Sequence, residues 1–168
     1  MMSRIVKLLS GGQSGADRGA MDAARDLDFP VGGWCPAGGW AEDMTEPPGI
    51  RALYPQMTET PSSDVSQRTE WNIRDSSCCI VLNTRTRGTS RGTDIGYAMY
   101  DKYKTPHFEI ALDGEASIEE QVGRAIEWLR GLDDDAIVIS FGGPRASEYA
   151  GVYDIAYRVV TMLLTAEL

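Results

Sequence analysis

Arg4-Ile5-Val6-Lys7-Leu8-Leu9-Ser10-Gly11-Gly12-Gln13-Ser14-Gly15-Ala16-Asp17-Arg18 is the stretch from which the fold of this chain can be read. An apolar run passes through a glycine-rich turn straight into a segment of helical periodicity, the pattern of a strand feeding a helix. Four more apolar runs, Pro30 to Cys35, Cys78 to Asn83, His107 to Leu112 and Ala136 to Phe141, predict further strands. Helix-period segments follow them at Ala16 to Leu27, Asp64 to Asp75, Thr93 to Tyr103, Ser117 to Leu132 and Tyr149 to Leu164. Five such alternations predict parallel strands joined by right-handed crossovers, and the continuous apolar runs suit strands buried on both faces. The expected fold is α/β: a single domain over residues 1–168, with a doubly wound, mostly parallel sheet of five or more strands and helices on both faces. Residues 36–62, rich in Pro, Gly, Thr and acidic side chains, predict a long loop. A loop of that length inside a compact domain usually serves function or acts as a lid.

The chain has 168 residues, 42% of them hydrophobic, and its 16 Lys and Arg against 25 Asp and Glu give a net charge of −9. A core can form on that composition, and disordered or fibrous classes are excluded. A negative surface repels phosphate backbones and anionic lipids, so neither nucleic acid nor a membrane is an expected partner. Local basic loops can still hold one small anionic ligand. Cysteines occur at Cys35, Cys78 and Cys79, and His107 is the sole histidine. That inventory leaves no zinc motif and no His-based triad, and no directly coordinated metal is expected. Cys78 and Cys79 read as reduced strand residues. With no signal-peptide pattern and no apolar run near membrane-spanning length, a cytoplasmic location is expected.

In an open parallel sheet, ligands bind beyond the carboxyl ends of the strands, near the point where strand order reverses. A strand order such as 2-1-3-4-5 is expected to bring the relevant loops together. The first loop supplies Gly11, Gly12, Gln13, Ser14 and Gly15, followed by Asp17 and Arg18 in the opening turn of a helix. A phosphate is expected at the helix start near Ala16, on the backbone N–H groups of Gly12 to Gly15 and on Ser14, with Thr93 in reach. The second loop runs from Asn83, Thr84 and Arg85 to Gly92, Thr93 and Asp94, and its three arginines invert the local charge. Its purely structural reading is a solvated loop with Thr93 capping the next helix. The third supplies Gly142, Gly143, Pro144, Arg145 and Ser147, although Arg145 could simply pair with Glu148. Asp17 reads equally as a ligand contact or as a complement to the helix dipole. Asn72, Arg74 and Asp75 at a helix end, and His107 at a strand start, read as structural. Trp34 and Trp40 could stack on a planar ring or belong to the core.

Taken together, Gly11 to Arg18 with Ala20 and Asp22 to Ala24 resemble the opening of the molybdenum cofactor carrier-like family. The blocks Gly33 to Pro36, Ala41 to Asp43, Tyr54, Thr58 to Thr60, Arg68-Thr69, Trp71 to Ser76, Gly92-Thr93 and Gly142 to Arg145 resemble its later motifs in order. The resemblance implies a Rossmann-like domain of the superfamily that includes the phosphoribohydrolases and the DNA-processing proteins. It further implies a carrier whose cofactor is the molybdenum cofactor, a pterin bearing a phosphate, or a nucleotide. One departure is Ala37-Gly38-Gly39-Trp40, where the family tends to carry basic residues.

Three alternatives stand beside the carrier. One is an enzyme cleaving nucleoside 5'-monophosphates, for which Gly96 stands where the superfamily has its catalytic Glu, so Asp94 or Asp17 would have to substitute. Another is a nucleotide sensor or interaction module. The third is a single-strand binder, which the global charge opposes. No catalytic residue is assigned, and parallel α/β proteins of this size commonly dimerise through helices, so a homo-oligomer is expected.

Overall fold

A computed structural model describes residues 3–84 and 90–168. Its main sheet consists of β1 (Ile5–Leu9), β2 (Val31–Gly32), β5 (Cys78–Asn83), β6 (His107–Ala111) and β7 (Ile137–Gly142), all parallel, in the order β2-β1-β7-β5-β6. The helices are α1 (Ala16–Asp26), α2 (Val65–Arg74), α3 (Arg91–Tyr103), α4 (Ile118–Arg130) and α5 (Val152–Thr165). This is the expected Rossmann-like α/β architecture, with one correction. The last strand is not at an edge, as a 2-1-3-4-5 order would have it, but is inserted between β1 and β5.

Right-handed crossovers explain which face each helix takes. The connections β1-α1-β2 and β6-α4-β7 both run toward the β2 edge, so α1 and α4 share one face. Those through α2 and α3 run the other way, so that pair takes the opposite face. The apolar clusters agree. Cys78, Ile80 and Leu82 of β5 pack with α1, α4 and α5, whereas the alternating Cys79 and Val81 pack with Ile73 of α2 and Tyr100 of α3. Every residue of β5 is buried, as a central parallel strand requires. Cys35, Cys78 and Cys79 are free thiols. Among the described residues no helix is long and apolar enough to cross a membrane.

The expected strand Pro30 to Cys35 divides at Gly33, whose φ of 126° turns the chain out of the sheet. Beyond the turn, β3 (Trp34–Cys35) pairs in parallel with β4 (Thr58–Glu59) in a separate two-stranded sheet. Residues 36–62 are therefore not a structureless loop. They carry two 3-10 turns and β4, and they bury Ile50, Tyr54 and Met57 against Met21 and Cys35. Tyr54 and Tyr153 both donate hydroxyl hydrogen bonds to Asp22, tying this segment to α1 and α5. Helix α3 begins two residues earlier than expected, and its cap is Ser90 rather than Thr93: the Ser90 hydroxyl accepts the Thr93 N–H at 3.1 Å.

Small residues on α1 let it lie close to α5, and a methyl group on Gly19 would overlap the carbonyl oxygen of Tyr153. Alanine gains about 1 kcal/mol over glycine in a helix interior. Overpacking against backbone outweighs it, so Gly19→Ala is expected to lose about 2 kcal/mol in urea unfolding. An unchanged midpoint would mean that the α1–α5 contact does not govern stability.

Candidate functional site

A cleft of about 280 Å³ opens where β1, β7 and β5 end, between the start of α3 and the inner face of α2. The insertion of β7 creates it, because crossovers leave β1 and β5 in opposite directions and no connection covers the gap. All three glycine-rich turns reach it: Gly11, Gln13 and Asp17 from the first, Gly92 and Thr93 from the second, Gly142, Gly143 and Arg145 from the third. The expected convergence of the loops holds. Arg85 lies outside the described residues.

The other expected residues serve the frame of the site. Gly12 packs against Ile50 and Met57. Of the N–H groups of Gly12 to Gly15 expected to hold a phosphate at α1, three are committed within the chain: Gly12 N–H to Ser10 Oγ at 3.4 Å, Gln13 N–H to Asp17 Oδ2 at 3.2 Å and Ser14 N–H to Gln13 Oε1 at 3.0 Å; Ala16 N–H, next in the turn, is held by the Pro144 carbonyl at 3.1 Å. Gly15, with a φ of 75°, lets that turn approach the backbone of Pro144 to Ala146. Arg18 is buried, but it grips Asp43 through two nitrogens at 2.9 and 3.0 Å. Asn83 accepts the Thr84 N–H at 2.9 Å, and neither residue lines the cleft; nor does Asp94 in the first turn of α3.

Ser14 and Ser147 also find a partner inside the chain. Both donate hydroxyl hydrogen bonds to Glu42, which accepts the Ser147 N–H at 3.1 Å as well and lies 3.7 Å from Arg145. Arg145 also pairs with Glu148 at 3.2 Å, so its structural reading is correct in part. Glu42 and Asp43 thus clasp residues 36–62 onto the first and third turns.

On the cleft wall, Asp17 is the most buried carboxylate, its side chain 7% exposed. Burial pushes its pKa up, and Arg68, the Gln13 N–H and Arg18 pull against that rise. Arg68 lies over Gly11, where a Cβ would come within 2.5 Å of Nη1, which explains the glycine. Sequence reasoning did not pick out Arg68 as a site residue. The readable signal was Val65, Arg68, Thr69, Asn72 and Ile73 at helical spacing, polar groups on a face turned toward the sheet. Trp40 lines the cleft and Trp34 does not; Trp34 stacks edge-on against Trp71. Tyr100 lines it as well, with His107 stacked behind at 4.5 Å. Gly96 faces the cleft beside the Tyr100 ring. Among the described residues no three His, Cys, Asp or Glu side chains are placed to hold a metal ion.

For the Glu42 carboxyl, burial opposes ionisation, but hydrogen bonds from Ser14 and Ser147 and the Arg145 charge outweigh it and hold its pKa below the ordinary value. A carboxylate depressed in the fold stabilises above its unfolded pKa, and that contribution is lost as pH falls through the folded one. Glu42→Gln is expected to lower stability by about 1–2 kcal/mol at neutral pH, with hydrogen exchange rising across residues 36–62. The gap from the parent should close as the buffer is taken below the ordinary carboxylate pKa. A gap independent of pH would exclude an ionic clasp.

Residues 8–164 match the model of the circularly permutated YpsA SLOG family. Among curated proteins nothing matches the chain. Among solved structures, it is similar to the crystal structure of a "putative molybdenum carrier protein" from Syntrophus aciditrophicus SB. The two are 32% identical with a TM-score of 0.84, over 99% of this chain and 98% of that one. A model match over nearly the whole length, on the same α/β architecture, establishes that this chain belongs to the circularly permutated YpsA SLOG family.

Proposed function

We propose that the chain is a carrier of a small anionic ligand, a planar heterocycle bearing a phosphate, which it binds in the cleft between β1, β7 and β5. The molybdenum-bearing pterin and a nucleotide both have that chemistry. The observation that carries the reading is that, among the described residues, Arg68, Arg91 and Arg145 line one cleft against only two acids, Asp17 and Glu148, in a chain of net charge −9. The first turn of α3 opens on the same space and adds the positive end of a helix dipole. With the Gly12, Gln13, Ser14 and Ala16 N–H groups of the α1 turn committed, the phosphate is assigned to Arg91, Gly92 and Arg145 rather than to Ala16. Trp40 offers a ring face for the heterocycle. The name of the Syntrophus relative supports the carrier reading.

Gly92 and Gly142 line the cleft, and a Cβ on either meets nothing within 4 Å. Leucine at either position should therefore fold, and at Gly92 it raises helix propensity. Titration calorimetry with nucleoside monophosphates and a pterin phosphate is expected to show binding that weakens with salt. Binding should fall about tenfold to a hundredfold in Arg145→Ala and be blocked by Gly92→Leu or Gly142→Leu. Full affinity in both folded glycine variants would overturn the location. Incubation with AMP is expected to release no adenine, since Gly96 carries no acid. Turnover that vanishes in Asp17→Asn would favour the hydrolase instead.

A further inference from the structure

We propose that the cleft reads a 2-amino-4-oxo pyrimidine edge, the hydrogen-bonding edge common to guanine and the pterins, through Asp17 as acceptor and Arg68 as donor. This assignment rests on the cleft being the ligand site.

The two side chains form an incompletely satisfied charge pair. Arg68 Nη1 stands 3.8 Å from Asp17 Oδ2, beyond hydrogen-bond length, and donates instead to Thr69 Oγ1 at 3.0 Å. Asp17 Oδ2 is used by the Gln13 N–H, whereas Oδ1 has no hydrogen-bond partner among the described residues. Arg68 Nη2 has none among them either, and its Nε is buried without one, as is the Nε of Arg18. The side chains are 7% and 13% exposed, and both residues line the cleft. Asp17 Oδ1 and Arg68 Nη2 open on the cleft, where a ligand can complete two charged groups that are otherwise largely buried.

Which ligand completes them follows from the order of donors and acceptors. A carboxylate beside a guanidinium complements two adjacent donors beside one acceptor. Guanine and pterin present that array: ring N–H and exocyclic amino group toward Asp17, carbonyl oxygen toward Arg68. Hypoxanthine lacks the amino donor. Adenine lacks the ring N–H and the carbonyl, and uracil has a single ring N–H between two carbonyls. The carboxylate also repels a phosphate, which leaves the phosphate to Arg91 and Arg145. The upward push of burial on the Asp17 pKa agrees, because two ligand N–H donors would offset the lost solvation of its charge.

The test is calorimetric titration of the full chain with GMP, IMP, AMP and neopterin monophosphate. GMP and neopterin monophosphate are expected to bind at least tenfold tighter than IMP and AMP. In Asp17→Asn the preference for GMP over AMP should collapse to within about threefold. Should that variant fail to fold by circular dichroism, the parent's four affinities decide alone. Equal affinity of the parent for GMP and AMP would overturn the edge assignment and leave phosphate binding intact. Absence of binding by all four would overturn the ligand site itself.

Discussion

The right-handedness of parallel crossovers governs this molecule. Because β7 is central, the chain must leave β1 toward one edge and β5 toward the other, which parts the connections and opens a crevice at the carboxyl ends of three strands. The same rule distributes the helices, with α1, α4 and α5 on one face and α2 and α3 on the other. Fold and site therefore have one cause.

Charge burial is the second organising feature. Asp17, Arg18 and Arg68 sit at or behind the crevice with little exposure. They are treated differently. Arg18 is engaged by both oxygens of Asp43 and by the Gly12 carbonyl, so its charge holds the segment 36–62 in place. Arg68 and Asp17 pair more loosely, at 3.8 Å on the cleft wall, and the Nε of Arg68, like that of Arg18, is buried without a hydrogen-bond partner. The clasp at Glu42 belongs to the first kind, since serine hydroxyls and a backbone N–H surround it.

Residues 36–62 illustrate how local composition misleads. Prolines and glycines discourage regular structure, and the segment does lack long elements. It is nonetheless a packed layer, because Ile50, Tyr54 and Met57 find a second apolar cluster against α1 and because two tyrosines share the Asp22 carboxylate. Its covering of the first turn engages the Ser14 hydroxyl through Glu42 and the Arg18 guanidinium through Asp43.

Local information determined the elements. The strand Cys78 to Asn83 and the helices after it were legible in apolar period and turns, since those patterns act within a few residues, although the cap of α3 was not. The cleft residues Gly11, Gly92, Thr93, Gly142 and Arg145 were legible for a related reason: turns that follow parallel strands all open at one end of the sheet. Tertiary structure alone decided the rest. The place of β7 depends on which strands pair across more than fifty residues, and no local pattern encodes that. The commitment of Ser14, Ser147 and Arg18 to Glu42 and Asp43, and the exposure of Asp17 and Arg68 to the cleft, likewise depend on partners distant in sequence. A polar side chain announces the bonds it can make, and only the packed chain determines which of them remain unmade.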